Sequence, residues 1–242
     1  MLKDHYFSGT SNLVLPVKNK TFFPPVFQNG TRLTYYASLF NSIEINASFY
    51  RMPACRTINK WSNEVPDHFR FSFKLIKDVT HAQKQHFDLR PIPAFMEAIC
   101  ATSKRGCLLV QLPPNFEPNI IELSILLFEL KDYDWPIAIE FRHPGWYKDD
   151  IFDLLSQFDV ALVLHDIKKS ATPMILTSGK TVYIRFHGPE GGYRGSYDDD
   201  YLNEYAEYIK DWIDDGSSVY SYFNNTLGSA VHNLETLNNL LS

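Results

Sequence analysis

The chain has few cysteines and no long apolar run. Its three cysteines, Cys55, Cys100 and Cys107, form no C-x-x-C pair, so neither a disulfide framework nor a zinc ribbon is expected. No stretch reaches the roughly 18 consecutive apolar residues of a membrane-spanning helix. The N-terminus has no apolar leader either. These absences predict a cytoplasmic protein with no membrane contact.

Basic residues and glycine motifs are scarce too. The chain has 23 Lys and Arg against 28 Asp and Glu, a net charge of −5. Sequence-independent nucleic-acid binding depends on Lys and Arg that neutralise phosphates, so the net charge does not support a nucleic-acid partner, although it leaves a local basic site open. No G-x-G-x-x-G motif is present, which argues against an open dinucleotide-binding sheet.

What the chain does contain is a repeated alternation of strand and helix patterns. Its 242 residues are 45% hydrophobic, which is enough for one sizeable core. Eight β-rich runs occur, at 6–10, 43–49, 69–76, 107–112, 136–142, 161–166, 181–187 and 218–224. Helical patterns follow most of them, at 32–40, 57–65, 91–103, 119–131, 149–158, 199–214 and 229–241.

This alternation is typical of βαβ units and a parallel sheet. Eight units of about 30 residues each are the number that closes a (β/α)8 barrel. We therefore predict an α/β fold, a single TIM-type barrel domain over residues 1–242. Residues 167–180 are weakly patterned, so the sixth helix is expected to be short or missing. The alternative is an open doubly wound sheet.

Strand periodicity predicts which side chains enter the barrel. Alternate residues of a strand face opposite sides, and the apolar set should face the helices. Glu44 and Glu140 then point inward with Lys74, Arg142 and Arg185. The same register places four more polar residues inward, and we take them as candidate substrate-binding residues: Asn46, Gln111, Tyr222 and Asn224. Because barrel enzymes react at the C-terminal ends of their strands, we expect a charged pocket there.

Three further assignments are less direct. His187 faces inward, and an imidazole titrating near neutral pH could move protons. Both faces of the sixth run are apolar, so either Asp166 or His165 points inward. We take Asp166 as the third acid, and Glu44, Glu140, Asp166 and His187 as the candidate catalytic residues. Residues 142–145 form a turn that should open to solvent, so Glu140 is expected to face a wet pocket.

Several segments resemble the YecE-like family, a domain-of-unknown-function family. The segments occur in family order: FSGTS at 7–11, SIEINASFY at 42–50, FSFK at 71–74, QLPP at 111–114, IEFRH at 139–143, YIRFHG at 183–188 and YFNN at 222–225. The resemblance covers nearly the whole chain and implies a TIM-type barrel. It implies no reaction.

Three functions fit these residues. The first is acid/base catalysis on a small polar or anionic, phosphorylated or sugar-like substrate, without a cofactor, in which Lys74, Arg142 and Arg185 hold the anion. The second is a divalent-metal hydrolase, isomerase or nucleic-acid-processing enzyme using Glu140, Asp166 and His187. Its metal signal is weak, because two arginines share the site and no H-x-H is present.

The third function is ligand binding without turnover. Five aromatic residues are placed near the mouth of the barrel: Phe49, Tyr50, Trp146, Tyr193 and Tyr222. Such rings could stack on a sugar or a base, although each taken singly is better explained by packing. Five basic residues that could form a rim are expected to be solvated: Arg56, Lys60, Lys77, Lys84 and Arg194.

Overall fold

The computed structural model describes residues 2–82 and 85–242; Lys84 of the expected rim lies outside them. Its strands pair only in parallel, as the alternation predicts. The strands within these residues are β1 Tyr6–Thr10, β2 Ser42–Ile45, β3 Arg70–Lys74, β4 Arg105–Gln111, β5 Ile137–Glu140, β6 Ala161–Leu162, β7 Leu164–His165, β8 Thr181–Phe186 and β9 Ser218–Phe223.

Helices separate most of these strands. They are α1 Leu2–His5, α2 Arg32–Leu39, α3 Ala47–Tyr50, α4 Cys55–Glu64, α5 Lys77–Thr80, α6 Ile92–Ile99, α7 Ile120–Leu130, α8 Asp149–Gln157, α9 Asp199–Asp214 and α10 Ala230–Leu240. Side-chain caps fix several starts: Thr31 accepts from the Thr34 N–H, and Asp198 accepts from the Tyr201 N–H. These caps satisfy backbone donors that the first turn leaves unpaired.

The strands form two hydrogen-bonded sheets. One has the order β1-β9-β8-β7 and the other the order β2-β3-β4-β5-β6. The predicted sixth strand is divided between them, because β6 and β7 are consecutive segments separated only by Val163. The α/β class with parallel strands is therefore confirmed. Closure of the sheets into one barrel stays a prediction, because no continuous backbone ladder joins β1 to β2 within the described residues.

Side chains bridge the boundary between β1 and β2. The Tyr36 hydroxyl accepts from the Thr10 N–H at 2.7 Å and donates to the Ser42 carbonyl at 3.1 Å. The Asn41 amide likewise accepts from the Ser8 N–H at 2.8 Å. One parallel backbone bridge, Ser11 to Glu44, lies at the upper end. The strands approach so closely that a Cβ on Gly9 would lie 2.0 Å from the Ser42 oxygen.

The inward and outward faces follow the alternation. The outward side chains of the strands, such as Ile43, Phe73 and Ile184, pack with the helices in the main core. A second, smaller cluster lies on the opposite face of the strands: Phe7, Cys107, Leu109, Ala138, Ala161, Val163, Tyr183, Tyr220 and Tyr222. The predicted register of the strands is therefore the observed one wherever the alternation was clear.

One predicted segment differs from the structure, whereas the absence of a sixth helix agrees with the prediction of a short or missing one. The second run ends as a strand at Ile45, and Ala47–Tyr50 forms a short helix, because the backbone of Asn46 turns to helical angles. No helix forms in 167–180. Thr172 and Thr177 of this segment donate to the carbonyls of Val163 and Val160 instead. None of the described helices is long and apolar enough to span a bilayer.

We predict that Tyr36→Phe destabilises the protein by about 1–3 kcal/mol, because it leaves the Thr10 N–H and the Ser42 carbonyl without their buried partner. Urea denaturation measures the change. Tyr35→Phe on the same helix is the matched control, since no hydrogen bond to the Tyr35 hydroxyl is found in the described residues. Equal stability of the two variants would show that the hydroxyl does not hold this boundary.

Candidate functional site

Arg185 of β8 lies inside the strands with two carboxylates of the other sheet. Its Nε and Nη2 donate to the two oxygens of Glu44 at 2.9 and 2.8 Å, a bidentate pair. Its Nη1 donates to Glu140 Oε2 at 2.5 Å. Both carboxylates are fully buried, and Arg185 is 1% exposed. One guanidinium therefore joins β8 to β2 and to β5.

Each carboxylate has further donors. Ser11 and Tyr183 donate to Glu44 through their hydroxyls at 2.6 and 2.8 Å. Glu140 receives a second guanidinium bond, from Nε of Arg142. All four carboxylate oxygens thus accept hydrogen bonds, which is the condition under which a buried ion pair is tolerated.

These contacts keep both acids ionised. Burial alone would raise the pKa of Glu44, but the guanidinium of Arg185 and the surrounding donors lower it below its ordinary value. The pKa of Glu140 is likewise raised by burial and lowered much further by Arg142 and Arg185. Neither group is therefore a proton donor near neutral pH. The expectation that Glu140 faces a wet pocket was wrong, because Arg142 covers it.

His187 has a different role from the expected proton carrier. Burial and then the neighbouring arginines lower its pKa to about 4, against the opposing effects of Asp166 and Glu140. Arg142 Nη2 donates to His187 Nε2 at 3.0 Å, and Nδ1 lies 3.1 Å from the Arg185 carbonyl. A neutral imidazole with its proton on Nδ1 satisfies both contacts. His187 at neutral pH is therefore an acceptor that orients Arg142.

The structure settles the register of the sixth strand. Val163 belongs to the inner cluster, which places His165 on the same inward face; its ring lies 5.6 Å from that of His187. Asp166 lies at the edge instead, where it accepts from the His187 N–H at 2.8 Å and from the Tyr197 hydroxyl. The interpretation of Asp166 as the third interior acid was wrong, because it anchors the strand end rather than joining Glu44 and Glu140.

Above the buried ion pairs lies a layer that reaches solvent. Lys74, Gln111, Asn46 and Arg142 are half-buried there. Lys74 Nζ donates to Gln111 Oε1 at 2.6 Å and lies 4.1 Å from the centre of the Phe49 ring. Asn46 Nδ2 donates to Glu44 Oε1 at 3.0 Å, whereas Asn46 Oδ1 is buried without a partner. This layer offers donors and one vacant acceptor to a ligand.

Tyr222 and Asn224, the two predicted binding residues of the eighth β-rich run, differ in how deeply their side chains are buried. Tyr222 is fully buried, and its hydroxyl bonds Ser42 and Ser72 at 2.6 and 2.8 Å. It lies in the interior layer below the mouth, and its assignment to substrate binding stays a prediction. Asn224 is half-buried at the C-terminal edge of the strands. Among the described residues, no hydrogen bond or ion pair joins its side chain to the charged cluster.

The other aromatic residues do not form one platform. Trp146 is fully buried and stacks on Phe141 at 4.8 Å, so it belongs to the core. Tyr50 and Tyr193 are exposed, and Phe49 is buried beneath Lys74. Two cavities, of about 490 and 620 Å³, lie at the opposite edge, where the strands begin. The charged end of the strands lines neither of them.

Metal ligands are not clustered in the structure. Within residues 2–82 and 85–242, no group of three or more His, Cys, Asp or Glu is arranged to hold a metal ion. The imidazole of His187 lies between the other two proposed ligands, with Nε2 4.0 Å from Glu140 Oε1 and Nδ1 3.6 Å from Asp166 Oδ1. Arg142 and Arg185 occupy the carboxylate oxygens that a cation would need.

Sequence reasoning missed two contributors to the cluster. Ser11 lies just beyond the predicted first strand, although continuing the alternation of Phe7 and Gly9 would have placed it inward. The contact of Phe49 with Lys74 was not predicted either: its ring was placed near the mouth of the barrel, and the helical turn after Ile45 brings it under Lys74. The inward position of Ser11 could have been inferred from the alternation. The position of Phe49 required knowledge of where β2 ends.

We predict that Glu140→Gln costs about 3–5 kcal/mol in the free energy of unfolding, because it leaves two buried guanidiniums without their shared carboxylate. Glu235→Gln, on the exposed face of α10, is the matched control and should change stability by less than about 0.5 kcal/mol. Chemical denaturation measures both. A cost below about 1 kcal/mol for Glu140→Gln would show that water solvates this position.

Acid should destabilise the protein partly through His187. Its folded pKa of about 4 lies below the ordinary value of 6.5, so its contribution is complete above pH 6.5 and is lost as the pH falls toward 4. The loss amounts to about 3 kcal/mol. The lowered pKa values of Glu44 and Glu140 act in the same direction, below their ordinary value of 4.5.

His187→Gln keeps an acceptor that does not titrate, so its unfolding free energy should fall less than that of the wild type between pH 6.5 and 4. Urea denaturation at four pH values measures both slopes. The exposed His232→Gln is the control and should follow the wild type. Parallel curves for wild type and His187→Gln would contradict a buried neutral imidazole.

Comparison with known proteins gives one relative over most of the chain and another over about half of it. The chain is 26% identical over 242 residues to UPF0759 protein YunF of Bacillus subtilis, covering 86% of this chain and 85% of that protein. It is 28% identical over 119 residues to UPF0759 protein YecE of Escherichia coli K12, covering 48% of this chain and 43% of that protein.

Two solved structures share the fold. The DUF72 family protein EF0366 of Enterococcus faecalis has a TM-score of 0.78 at 20% identity, over 98% of this chain and 94% of that one. The DUF72 family protein TM1631 of Thermotoga maritima has a TM-score of 0.75 at 21% identity, over 98% of both chains. The family model described as "Protein of unknown function DUF72" matches residues 7–242, and the chain belongs to this family.

Proposed function

We propose that this protein is a cytoplasmic enzyme with a closed (β/α)8 barrel, which binds a small anionic substrate, phosphorylated or carboxylated, at the C-terminal ends of its strands. Three features support closure of the barrel: the side-chain bridges of Tyr36 and Asn41, the Ser11–Glu44 bridge, and the contacts of Arg185 with the other sheet. Barrel enzymes place their chemistry at this end.

The observation that carries the proposal is the surplus positive charge of Lys74. Glu44 and Glu140 are balanced by Arg185 and Arg142, which they contact directly. No salt bridge to Lys74 is found in the described part of the chain. Its ammonium lies in the half-buried upper layer, beside the amides of Gln111 and Asn46, so an anion that enters there gains an unopposed cation and neutral donors.

Proton transfer is assigned to Lys74 rather than to the carboxylates. Burial, together with the charge of Arg185, lowers the pKa of Lys74 to about 8, whereas Glu44 and Glu140 stay ionised. A group whose pKa lies near the working pH is the better acid or base. Glu44 and Glu140 then act as positioning residues that fix the two arginines below the substrate.

Inorganic phosphate tests the anion site. At ten times its dissociation constant, phosphate should stabilise the wild type by about 1.4 kcal/mol, or about 3–6 °C in Tm. Lys74→Gln should lose most of this shift. Lys77→Gln, an exposed lysine on α5, is the matched control and should keep it. Each variant is compared with its own phosphate-free Tm, so a change in basal stability does not affect the result.

A shift of the same size in Lys74→Gln and in wild type would contradict the proposed anion site. Arg185 is not a suitable probe, because each of its donors is held by a buried carboxylate. Sodium chloride at equal ionic strength is the control for general salt screening, which affects both lysine variants alike.

A further inference from the structure

Lys74 has the surroundings of a nucleophilic amine. Its Nζ lies over the buried Phe49 ring at 4.1 Å and has one polar partner, Gln111 Oε1, at 2.6 Å. Within the described residues, no carboxylate lies within 4 Å of Nζ to hold it as an ammonium ion. A lysine used only for stability is expected to pair with an acid or extend into solvent.

The charges that face Lys74 come from three elements and the segment after β5. They are Glu44 of β2, Glu140 of β5, Arg185 of β8 and Arg142. Burial is the largest effect and lowers the pKa of Lys74; the two arginines lower it further, and the two carboxylates oppose them. A desolvated lysine beside another cationic group is one recognised way to activate an amine. The lowered pKa of about 8 leaves about one Lys74 in ten neutral at pH 7.

An acid/base group lies on the same aromatic ring. His81 packs against Phe49 with ring centroids 5.0 Å apart, and its Nδ1 lies 2.9 Å from the Thr80 hydroxyl. Its partial burial, and then the charges of Lys74 and Lys77, lower the pKa of His81. An imidazole that is neutral near pH 7 and open to solvent is suited to accept or return a proton beside the amine.

We propose that Lys74 forms a Schiff base with an aldehyde or ketone that carries an anionic group. The inference deepens the proposed function, on which it rests for the recognition of the anion. It narrows the substrate class to carbonyl compounds bearing a carboxylate or phosphate.

The step is a condensation that releases water. The lone pair of neutral Nζ attacks the carbonyl carbon, and the carbonyl π electrons move to oxygen, which takes up a proton. Nζ loses one proton to His81 or water, which gives a neutral carbinolamine. Protonation of its hydroxyl and departure of water, driven by the nitrogen lone pair, produce the protonated imine. The neutral amine, the carbonyl compound and one proton thus yield the protonated imine and one water, and no oxidant or reductant is needed.

Trapping with cyanoborohydride tests the proposal on the wild-type protein. Glyoxylate, an aldehyde with a carboxylate, is added at pH 7.5, and cyanoborohydride delivers hydride to the imine carbon to give a stable secondary amine. Peptide mass spectrometry then compares lysines. Lys74 should be labelled at least about tenfold faster than the exposed Lys77, because burial lowers the pKa of Lys74 to about 8 and leaves part of it neutral at this pH. The rate should reach half its maximum near pH 8.

Further labelling experiments distinguish Schiff-base formation by Lys74 from anion binding at the same place. Glycolaldehyde is an uncharged aldehyde and should label Lys74 more slowly than glyoxylate, and phosphate should slow labelling by glyoxylate. Lys74→Arg should abolish the fast adduct, whereas Lys77→Gln should keep it. Labelling of Lys74 by both aldehydes alike, without stabilisation by phosphate, would support the nucleophile and overturn the anion site.

Stabilisation by phosphate without preferential labelling of Lys74 would overturn the Schiff base and leave the anion site in place. Equal labelling of Lys74, Lys77 and the other lysines would also overturn it, because it would show ordinary surface reactivity. The N-terminal amine, which ordinarily titrates near pH 8, is distinguished by the mass of its own peptide.

Discussion

The two sheets of this protein are joined by a buried guanidinium. Glu44 and Glu140 belong to the sheet β2–β6, and neither could stay ionised in the interior without a cation. Arg185 comes from the other sheet and contacts both acids. The positions of β2, β5 and β8 around the interior are therefore coupled through one side chain. Tyr183 and Tyr222 reinforce this coupling with hydroxyl bonds from the same sheet to Glu44, Ser42 and Ser72.

This coupling divides the charged end of the strands into two layers with different properties. The lower layer is dry and fully paired, so it holds its geometry but has little capacity to exchange protons. The upper layer contacts water. Within the described residues, its Lys74 ammonium has no carboxylate partner, and its Asn46 Oδ1 accepts no hydrogen bond. The paired charges of the lower layer are held rigidly, and the donors of the upper layer are free to adapt to a ligand. A preorganised binding site requires this arrangement.

Much of the fold followed from the alternation of residues. Glu44, Lys74, Glu140 and Arg185 were placed inward because their neighbours along each strand are apolar, and the structure places them there. The side chains whose surroundings were not predicted lie where alternation gives no signal. Asp166 follows a run with two apolar faces, and Phe49 follows a strand that has already ended at Ile45. Only tertiary contacts decide such positions.

The candidate site was less accessible to sequence reasoning, because ionisation depends on three-dimensional neighbours. Nothing in the sequence shows that Arg142 covers Glu140, or that His187 is buried between two guanidiniums and so stays neutral. The same acids and bases could have formed a wet catalytic pocket. For the same reason the sequence did not single out Lys74. It is the cation left without a carboxylate partner once Arg142 and Arg185 are paired with Glu44 and Glu140.

The pairing of β1 with β9 has a consequence for synthesis of the chain. Tyr6 is in register with Val219, so this ladder must wait until almost the entire polypeptide has been made. Contacts of such large sequence separation slow folding. The sheet β2–β6 is complete by residue 162, at which stage Arg185 has not yet been synthesised. A nascent chain therefore holds Glu44 and Glu140 without Arg185, and the arrival of β8 provides the charge that commits it to the native interior.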